Sequence, residues 1–432
     1  MVLIVHTSDV HLGVDKYANS PLAAAYVDVF NEIAEKTVEA GSRYLVVAGD
    51  MFHSTDPSTE VILSAIRVLK KLKESGVRVV VVPGNHDNST IRRGILDVLA
   101  EAGLVHLLEY REEYDYLLLK PLVFEDDKLV FYGIPGFRGQ KELNYIGKGM
   151  VKYLERSKYE NYSTVVVAHT SAKVYNYDPT SYSTRYGKIA TDEGELLRRI
   201  PQGVKYIALG HIHIPVPLEK TFRSSSAYPG APIGMDASDL RESVWLAEMG
   251  VKRRILLVDI QQYPSSIRAI ELENTPFVAY REIEAHGPSD VMNQLMKIVS
   301  ELPSEPKHKV VLLYLKNVEE LDARILGVAK EMSIKRGVHV EVNISKPEES
   351  SGLLSALSQL GELKEVDTER TLLDIDTLEE RILEDLARRY KLPLSLDKLK
   401  WLLNKLAELD PSNSKYKYRD MLLQIEKELL ES

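Results

Sequence analysis

The stretch Val77-Arg78-Val79-Val80-Val81-Val82-Pro83-Gly84-Asn85-His86-Asp87 joins an apolar run to a short polar turn. An apolar run that ends at Pro-Gly predicts a buried β-strand followed by a tight turn. In that turn Asn85 and His86 are expected to point outward. Open α/β sheets collect their sites at the carboxyl ends of strands. This stretch therefore predicts an α/β fold with a polar site at one edge of a sheet.

Four more polar clusters follow predicted strands, and together the five clusters hold six of the eleven histidines. The other four clusters are Asp9-Val10-His11, Gly49-Asp50-Met51-Phe52-His53, Ala168-His169 and Gly210-His211-Ile212-His213. Each is a weak or moderate signal alone, since Asp-x-His is common and Gly-Asp usually marks a turn. In an extended segment, however, His211 and His213 share a face. Together, the five clusters, each of which follows a predicted strand, are a strong signal for one shared site.

The residue types in these clusters indicate metal chemistry. Neutral imidazole, carboxylate and amide oxygen suit a pair of borderline or hard divalent cations. Two cations about 4 Å apart clamp the in-line displacement at phosphorus. The sequence therefore favours a two-metal phosphoesterase. The remaining histidines lie outside the clusters and are expected to be core or surface residues: His6, His106, His286, His308 and His339.

The first 260 residues alternate predicted strands with amphipathic helices, which predicts an α/β sandwich with one or two central sheets. The predicted strands are 2–6, 44–48, 77–82, 129–133, 164–168, 206–209, 244–248 and 254–260. The predicted helices are 22–39, 59–74 and 90–102.

Four segments are expected along the chain. Residues 1–270 form the α/β unit, and residues 275–345 form a small βαβαβ cap with strands at 277–283, 310–315 and 338–344 and helices at 289–301 and 318–336. Residues 346–376 are polar at their start and are expected to form a linker. Residues 377–432 carry apolar stripes at helical spacing. These stripes could pack on one another, on the body, or on a partner, and periodicity alone does not separate the three.

Composition excludes several classes of function. The chain has 432 residues and no cysteine, which excludes disulfides, thiolate ligands and a cysteine nucleophile, and fits a reducing compartment. Its formal net charge of −9 argues against a uniformly basic nucleic-acid surface. Bound cations would offset part of that charge, so a nucleic-acid enzyme remains compatible. No apolar run approaches the roughly 20 residues of a membrane helix, and no ATP-binding glycine loop is present.

Longer motifs around the clusters resemble a known family. They are His6-Thr7-Ser8-Asp9-Val10-His11-Leu12-Gly13, Gly49–His53, Gly84–Asp87 and Tyr206-Ile207-Ala208-Leu209-Gly210-His211-Ile212-His213. The chain resembles the calcineurin-like metallophosphoesterases, and among them the double-strand-break repair nucleases of the meiotic-recombination-eleven or SbcD type. His53 and Asp87 favour the nuclease branch, because the protein phosphatases of the family have other residues there. Ala231 departs from the family, which has Ser.

The resemblance implies a fold and a set of ligands. The fold is a metallophosphoesterase β-sandwich flanked by helices, with a small α/β cap and a C-terminal helical segment. Carried over by motif, the first metal is held by Asp9, His11, Asp50 and His213. The second metal is held by Asp50, Asn85, His169 and His211. Asp50 bridges the two, and the donor set suits Mn²⁺, with Zn²⁺, Fe²⁺ or Co²⁺ as alternatives.

Two further histidines receive catalytic roles by the same resemblance. His86, next to Asn85 in the chain, is expected to neutralise charge in the transition state. His53 is expected to orient the scissile phosphate or to protonate the leaving oxygen.

The resemblance also implies the biological setting. The expected activity is a DNA nuclease, with 3′–5′ exonuclease action on duplex ends and single-strand endonuclease action. The alternative is a small-molecule phosphodiesterase or phosphatase with the same site, and a non-catalytic scaffold is disfavoured by the complete ligand set. Residues 377–432 would bind an SMC-like ABC ATPase, helices near 59–73 and 90–102 would form a homodimer, and residues 275–345 would cap DNA. A cytoplasmic, nucleoid-associated, prokaryotic protein is expected.

Overall fold

The computed structural model describes residues 2–344, except for 90–92, 176, 180–185, 187–189, 202, 220, 263, 285, 317 and 319–322. The predicted linker, 346–376, and the predicted helical segment, 377–432, lie outside the described residues.

In the described residues, strands and helices alternate as far as residue 107, whereas several later strands follow one another without an α-helix between them. The helices are α1 (Leu22–Glu39), α2 (Thr59–Glu74), α3 (Ile95–Glu101), α4 (Lys141–Lys148), α5 (Glu193–Arg199), α6 (Ala237–Glu248), α7 (Pro288–Ser300) and α8 (Ala323–Arg336). The first strands are β1 (Leu3–Thr7), β2 (Tyr44–Ala48), β3 (Arg78–Val82), β4 (His106–Leu107), β5 (Tyr110–Glu113), β6 (Tyr116–Leu119), β7 (Leu122–Phe124), β8 (Leu129–Ile134), β9 (Val151–Tyr153) and β10 (Ser163–His169). The later strands are β11 (Ala172–Lys173), β12 (Thr191–Asp192), β13 (Val204–Gly210), β14 (Ser226–Ala227), β15 (Arg254–Asp259), β16 (Ser266–Glu271), β17 (Phe277–Glu284), β18 (Lys309–Lys316) and β19 (His339–Ile344).

Two sheets form the centre of the molecule. The first has the order β16-β15-β1-β2-β3-β4, in which β1 to β4 run parallel. The second has the order β14-β13-β10-β8-β7, in which β8, β10, β13 and β14 run parallel. The predicted α/β sandwich is therefore confirmed.

Successive side chains along each strand point to opposite faces of the sheet, and they form the apolar layers of the molecule. Val46 of β2 faces the other sheet and packs with Val167 of β10 in the core of the sandwich. Its neighbours Leu45 and Val47 point the other way and pack with α1 and α2. A third apolar layer packs the outer face of the second sheet against α4 and α5. Because strand side chains alternate between faces, a fully apolar strand such as β2 is buried on both sides.

One predicted strand is wrong. Residues 244–248 belong to helix α6, whose N-cap Asp236 accepts a hydrogen bond from the backbone nitrogen of Asp239. A short apolar run such as Val244-Trp245-Leu246 fits a strand or a helical turn equally well. The N-cap Asp236 favours the helix.

One predicted helix is shorter than expected. The helix predicted at 90–102 is α3, which begins at Ile95, after the non-helical residues 93 and 94. Of the helix predicted at 318–336, α8 covers Ala323–Arg336, and residues 319–322 lie outside the described residues.

Residues 277–344 fold in the order β17-α7-β18-α8-β19, with a parallel three-stranded sheet. One face of this sheet packs under α7 and α8. The other face, including Leu312 of β18, joins the core beside α1. We call this unit the cap. Among the described helices, none combines the length and the apolar character that crossing a membrane requires.

Candidate metal centre

The carboxyl ends of five parallel strands converge at one edge of the sandwich. The segments after β1, β2 and β3 come from the first sheet, and the ends of β10 and β13 come from the second. All nine side chains predicted for the site lie in these segments: Asp9, His11, Asp50, His53, Asn85, His86, His169, His211 and His213.

Backbone strain accompanies this convergence. Asp9, His11, Asp50 and His211 all adopt positive φ, with values of 53°, 49°, 50° and 94°. Such backbone conformations are unfavourable for residues other than glycine and persist only where the surrounding structure enforces them. Four of the seven candidate ligands thus have strained backbone conformations, and their side chains converge on one point.

The first candidate set is closely packed and buried. Asp9, His11 and His213 each offer a ligand atom, and these atoms lie within 4.8 Å of one another. Nε2 of His11 and Nε2 of His213 are only 3.2 Å apart, and Oδ1 of Asp9 is 3.7 Å from Nε2 of His213. Two imidazole nitrogens at this distance need a proton or a shared cation between them, so the donor set fits a metal ion.

The second candidate set surrounds an amide oxygen. Oδ1 of Asn85 lies 3.0 Å from Nε2 of His169 and 3.0 Å from Nδ1 of His211. An amide oxygen and two ring nitrogens in contact are chemically suited to a divalent cation.

Asp50 lies between the two sets. Its Oδ2 is 3.3 Å from Nε2 of His169 and 3.9 Å from Nε2 of His11. Its Oδ1 accepts a hydrogen bond from the backbone nitrogen of His86 at 2.8 Å. This is the position that a bridging carboxylate requires.

Buried charges at the site compensate one another. Burial disfavours the charged forms of both Asp50 and His169, but their mutual attraction is stronger. It lowers the pKa of Asp50 and raises the pKa of His169 to about 10. The positive charge that balances the Asp50 carboxylate is thus the proton on His169, and a divalent cation would take the place of that proton. Burial holds the pKa values of His11 and His211 well below their ordinary range, which keeps these rings neutral and able to bind a cation.

His53 and His86 form a cluster with His11 on the more open side. The ring centroids of His53 and His86 are 4.8 Å apart, and those of His11 and His86 are 4.9 Å apart. Although His86 follows Asn85 in the chain, its ring therefore lies against a residue of the first set. Both rings are half-buried, whereas Asp9, His11 and Asp50 are fully buried. Substrate would therefore approach from the His53 and His86 side.

Sequence reasoning missed three residues around the site. Asp239 and Arg253 are buried behind His213, and the hydroxyl of Tyr186 accepts a hydrogen bond from the backbone nitrogen of His213 at 3.1 Å. The capping pattern Asp236-Ala237-Ser238-Asp239 was available as a signal for a helix start, but the predicted strand at 244–248 obscured it.

Asp87, the last residue of the Gly84–Asp87 motif, is buried between two of the site's loops. Its Oδ1 accepts from the backbone nitrogen of Gly84 at 2.7 Å and its Oδ2 from that of Phe52 at 3.2 Å. Burial and the charge of Asp50 raise its pKa to about 7. It ties together the loops that carry Asn85 and Asp50.

The histidines outside the clusters have other surroundings. His6 is fully buried beside Tyr206, His106 and His286 are exposed, and His308 and His339 contact the rest of the protein from the cap.

Comparison with known proteins indicates the family to which this domain belongs. Residues 2–215 match the profile of the family described as Calcineurin-like phosphoesterase. The chain is 29% identical to the DNA double-strand break repair protein Mre11 of Methanopyrus kandleri, over 53% of this chain and 48% of that protein. It is 27% identical to the protein of that name from Saccharolobus solfataricus, over 54% of this chain and 55% of that protein. It is 25% identical to the protein of that name from Archaeoglobus fulgidus, over 79% of this chain and 73% of that protein.

The chain spans about half the length of the first two of these relatives and 73% of the third. The matched profile covers all the strands that carry the candidate ligands. Residues 2–215 therefore belong to the calcineurin-like phosphoesterases, and the three relatives named above are archaeal proteins called Mre11.

Proposed function

We propose that this protein is a two-metal DNA nuclease that acts in the repair of double-strand breaks. The single observation that carries the proposal is the convergence of seven candidate ligands, with Oδ2 of Asp50 between His11 and His169. The similarity to archaeal Mre11 proteins supports DNA as the substrate.

In this proposal, the first cation is held by Asp9, His11, Asp50 and His213, and the second by Asp50, Asn85, His169 and His211. Mn²⁺ suits this mixture of imidazole and oxygen donors. The bound pair supplies Lewis acidity and lowers the pKa of a water molecule, which favours hydrolysis of a phosphodiester.

The chain's own groups then orient the substrate and stabilise charge. His86 is fixed by its backbone hydrogen bond to Asp50, and its Nδ1 lies 3.2 Å from the carbonyl oxygen of His53. Protonated, its ring would stabilise negative charge that develops on the phosphate. His53 lies beside it on the same open side and would orient the phosphate or protonate the leaving oxygen.

Partners belong to the proposal as well. We expect residues 377–432 to bind an SMC-like ABC ATPase, which would supply the ATP-driven step that this chain lacks a motif for. The cap would flank DNA at the site. Because the proposed substrate is chromosomal DNA, we expect the protein to act in the prokaryotic cytoplasm, at the nucleoid.

Exposed apolar side chains support the proposed homodimer through α2 and α3. Leu63 of α2 is 48% exposed and Val98 of α3 is 59% exposed, although the opposite faces of both helices pack in the core. Apolar side chains of this size on neighbouring surface helices are suited to a subunit interface.

The test is cleavage by the Mn²⁺-loaded full chain of two substrates, end-labelled duplex DNA and a small aryl phosphodiester. We expect 3′–5′ degradation of the duplex, and cuts in single-stranded DNA in a parallel assay. Hydrolysis of the small ester with intact DNA would favour the alternative, a small-molecule phosphodiesterase. Absence of hydrolysis with either substrate would overturn the enzymatic proposal.

A further inference from the structure

A buried carboxylate lies directly behind one of the candidate metal ligands. Asp239, at the start of α6, is 0% exposed, and its Oδ2 is 2.5 Å from Nδ1 of His213. We propose that Asp239 is a positioning residue, which fixes the ring of His213 so that Nε2 faces the first cation. The inference rests on the proposed function in one respect, that His213 is a ligand.

The hydrogen bonds around Asp239 determine which nitrogen of His213 carries the proton. Oδ2 of Asp239 also accepts from the backbone nitrogen of Met235 at 2.9 Å, and Oδ1 accepts from Nη2 of Arg253 at 3.3 Å. A backbone nitrogen and a guanidinium are always donors, so both oxygens of Asp239 act as acceptors. Nδ1 of His213 must then be the donor. In the neutral ring this leaves the lone pair on Nε2.

The lone pair of Nε2 points into the first candidate set. On that side Nε2 is 3.2 Å from Nε2 of His11 and 3.7 Å from Oδ1 of Asp9. The same ring thus has a carboxylate that accepts its proton on one side and a group of metal-binding atoms on the other. A carboxylate behind a ligating histidine fixes its tautomer and makes it a stronger ligand.

Arg253 completes this arrangement. It is 4% exposed, and its guanidinium donates to the side chain of Asp239 and to the backbone carbonyl of His213. It also donates to the carbonyl of Ala231 and the hydroxyl of Ser243. The guanidinium of Arg253 therefore holds both Asp239 and the backbone of His213 in place. These contacts fix the ring in the metal-free protein.

Asp239→Asn tests the role because it keeps the shape of the side chain but turns one acceptor into a donor. The new NH₂ group must face either the guanidinium of Arg253 or the donors at Met235 and His213. The correct tautomer of His213 is then no longer enforced. We expect Mn²⁺ affinity at the first position to fall 10- to 100-fold, as is typical for loss of such a partner. Affinity at the second position should stay within about twofold.

The measurement is titration of Mn²⁺ into the metal-free full chain, with free Mn²⁺ counted by electron paramagnetic resonance. Asp236→Asn is the matched control, because it makes the same change at the same helix start, and asparagine preserves the N-cap. Two wild-type affinities in folded Asp239→Asn would overturn the proposal. If the wild-type chain itself binds no Mn²⁺, the metal centre is refuted rather than the role of Asp239.

A spectroscopic readout keeps the proposal testable if Asp239→Asn does not fold. Long-range ¹H–¹⁵N spectra of the metal-free wild-type chain report the tautomer of each histidine, and loss of one signal in His213→Gln assigns His213. We expect His213 to carry its proton on Nδ1. A proton on Nε2 in the wild-type chain would overturn the proposal.

Discussion

Nδ1 of His169 donates a hydrogen bond to the carbonyl oxygen of Ala48 at 2.9 Å, so that Nε2 is the nitrogen that faces Asp50. Ala48 is the last residue of β2 in the first sheet, and His169 is the last residue of β10 in the second. This bond therefore links the two sheets at the edge where the candidate ligands meet. It also places Asp50, two residues beyond Ala48, against both candidate sets.

Asp50→Ala is expected to remove both cations, because Asp50 is the only candidate ligand assigned to the two sets at once. Elemental analysis of the Mn²⁺-treated chain should fall from two ions per chain to less than one. Asp126→Ala is a suitable control, since that carboxylate pairs with Arg43 and Arg78 far along the sheet from the site. Full Mn²⁺ occupancy in Asp50→Ala would refute the bridge.

His86→Ala is expected to retain both cations and to lose DNA cleavage by about 100-fold or more, since a group that acts on the transition state contributes roughly that much. The side chain of His86 is not needed for the bond to Asp50, which its backbone nitrogen makes. The measurement pairs elemental analysis with a nuclease assay. His106→Ala removes an exposed imidazole on β4 and should leave both readouts unchanged. Loss of Mn²⁺ in His86→Ala would show that His86 is itself a ligand.

Local pattern predicted the elements that frame the site. Helix α1 and strand β2 have the predicted boundaries, because each has an unbroken apolar pattern that ends at a glycine or a polar turn. The nine site residues could be named because each lies next to such a strand end. Periodicity gave the wrong element at 244–248, because the N-cap Asp236 starts helix α6 eight residues earlier.

Contacts between distant segments could not be predicted from local pattern. Asp239 meets His213 across 26 residues, and the ring of His86 lies against His11 across 75. Such pairs arise from how two sheets and a helix pack together. A single sequence contains no periodic signal for that packing.

Gly84→Ala is expected to disrupt the site through steric overlap. A Cβ at Gly84 would lie 2.1 Å from Oδ1 of Asp50 and 2.3 Å from its backbone nitrogen. Since both atoms are fixed, we expect the free energy of unfolding to fall by about 3 kcal/mol, together with weaker Mn²⁺ binding.

The matched control is Gly147→Ala in α4, where a Cβ has no neighbour within 4 Å. That change should raise the free energy of unfolding by up to about 1 kcal/mol through helix propensity. Chemical denaturation of both variants checks the pair. Equal stability of Gly84→Ala and the wild-type chain would contradict the close approach of Gly84 to Asp50.

Deletion of residues 375–432 is expected to abolish binding to an SMC-like ABC ATPase while Mn²⁺-dependent cleavage remains measurable. All candidate ligands lie before residue 214, so the deletion leaves the site's own residues intact. Co-purification of the two proteins, with and without the deletion, is the measurement. Undiminished co-purification would reject this segment as the binding site.

Acid is expected to weaken the attachment of the cap. Glu341 of β19 lies 3.6 Å from Nε2 of His339 and pairs with Lys16 of the body, while Asp28 of α1 pairs with Lys307 at 2.8 Å and with His308 at 2.7 Å. Burial opposes ionisation of both carboxylates, but these basic side chains outweigh it and hold the two pKa values below the ordinary range. A lowered pKa in the folded state contributes stability above the ordinary pKa, which is lost as the pH falls through the lowered value. The docked cap should therefore lose stability as the pH falls from about 5 to about 3.

Glu341→Gln separates this effect from general acid denaturation. The variant should be less stable than wild type at pH 5, and its free energy of unfolding should fall less steeply toward pH 3, because one of the linked protons is gone. Urea titrations at several pH values give both quantities. Glu331→Gln is the control, since Glu331 lies exposed on α8 and pairs only with Lys335 among the ion pairs of the described residues. If Glu341→Gln and wild type share the same slope between pH 5 and pH 3, Glu341 does not contribute to the acid sensitivity of the cap.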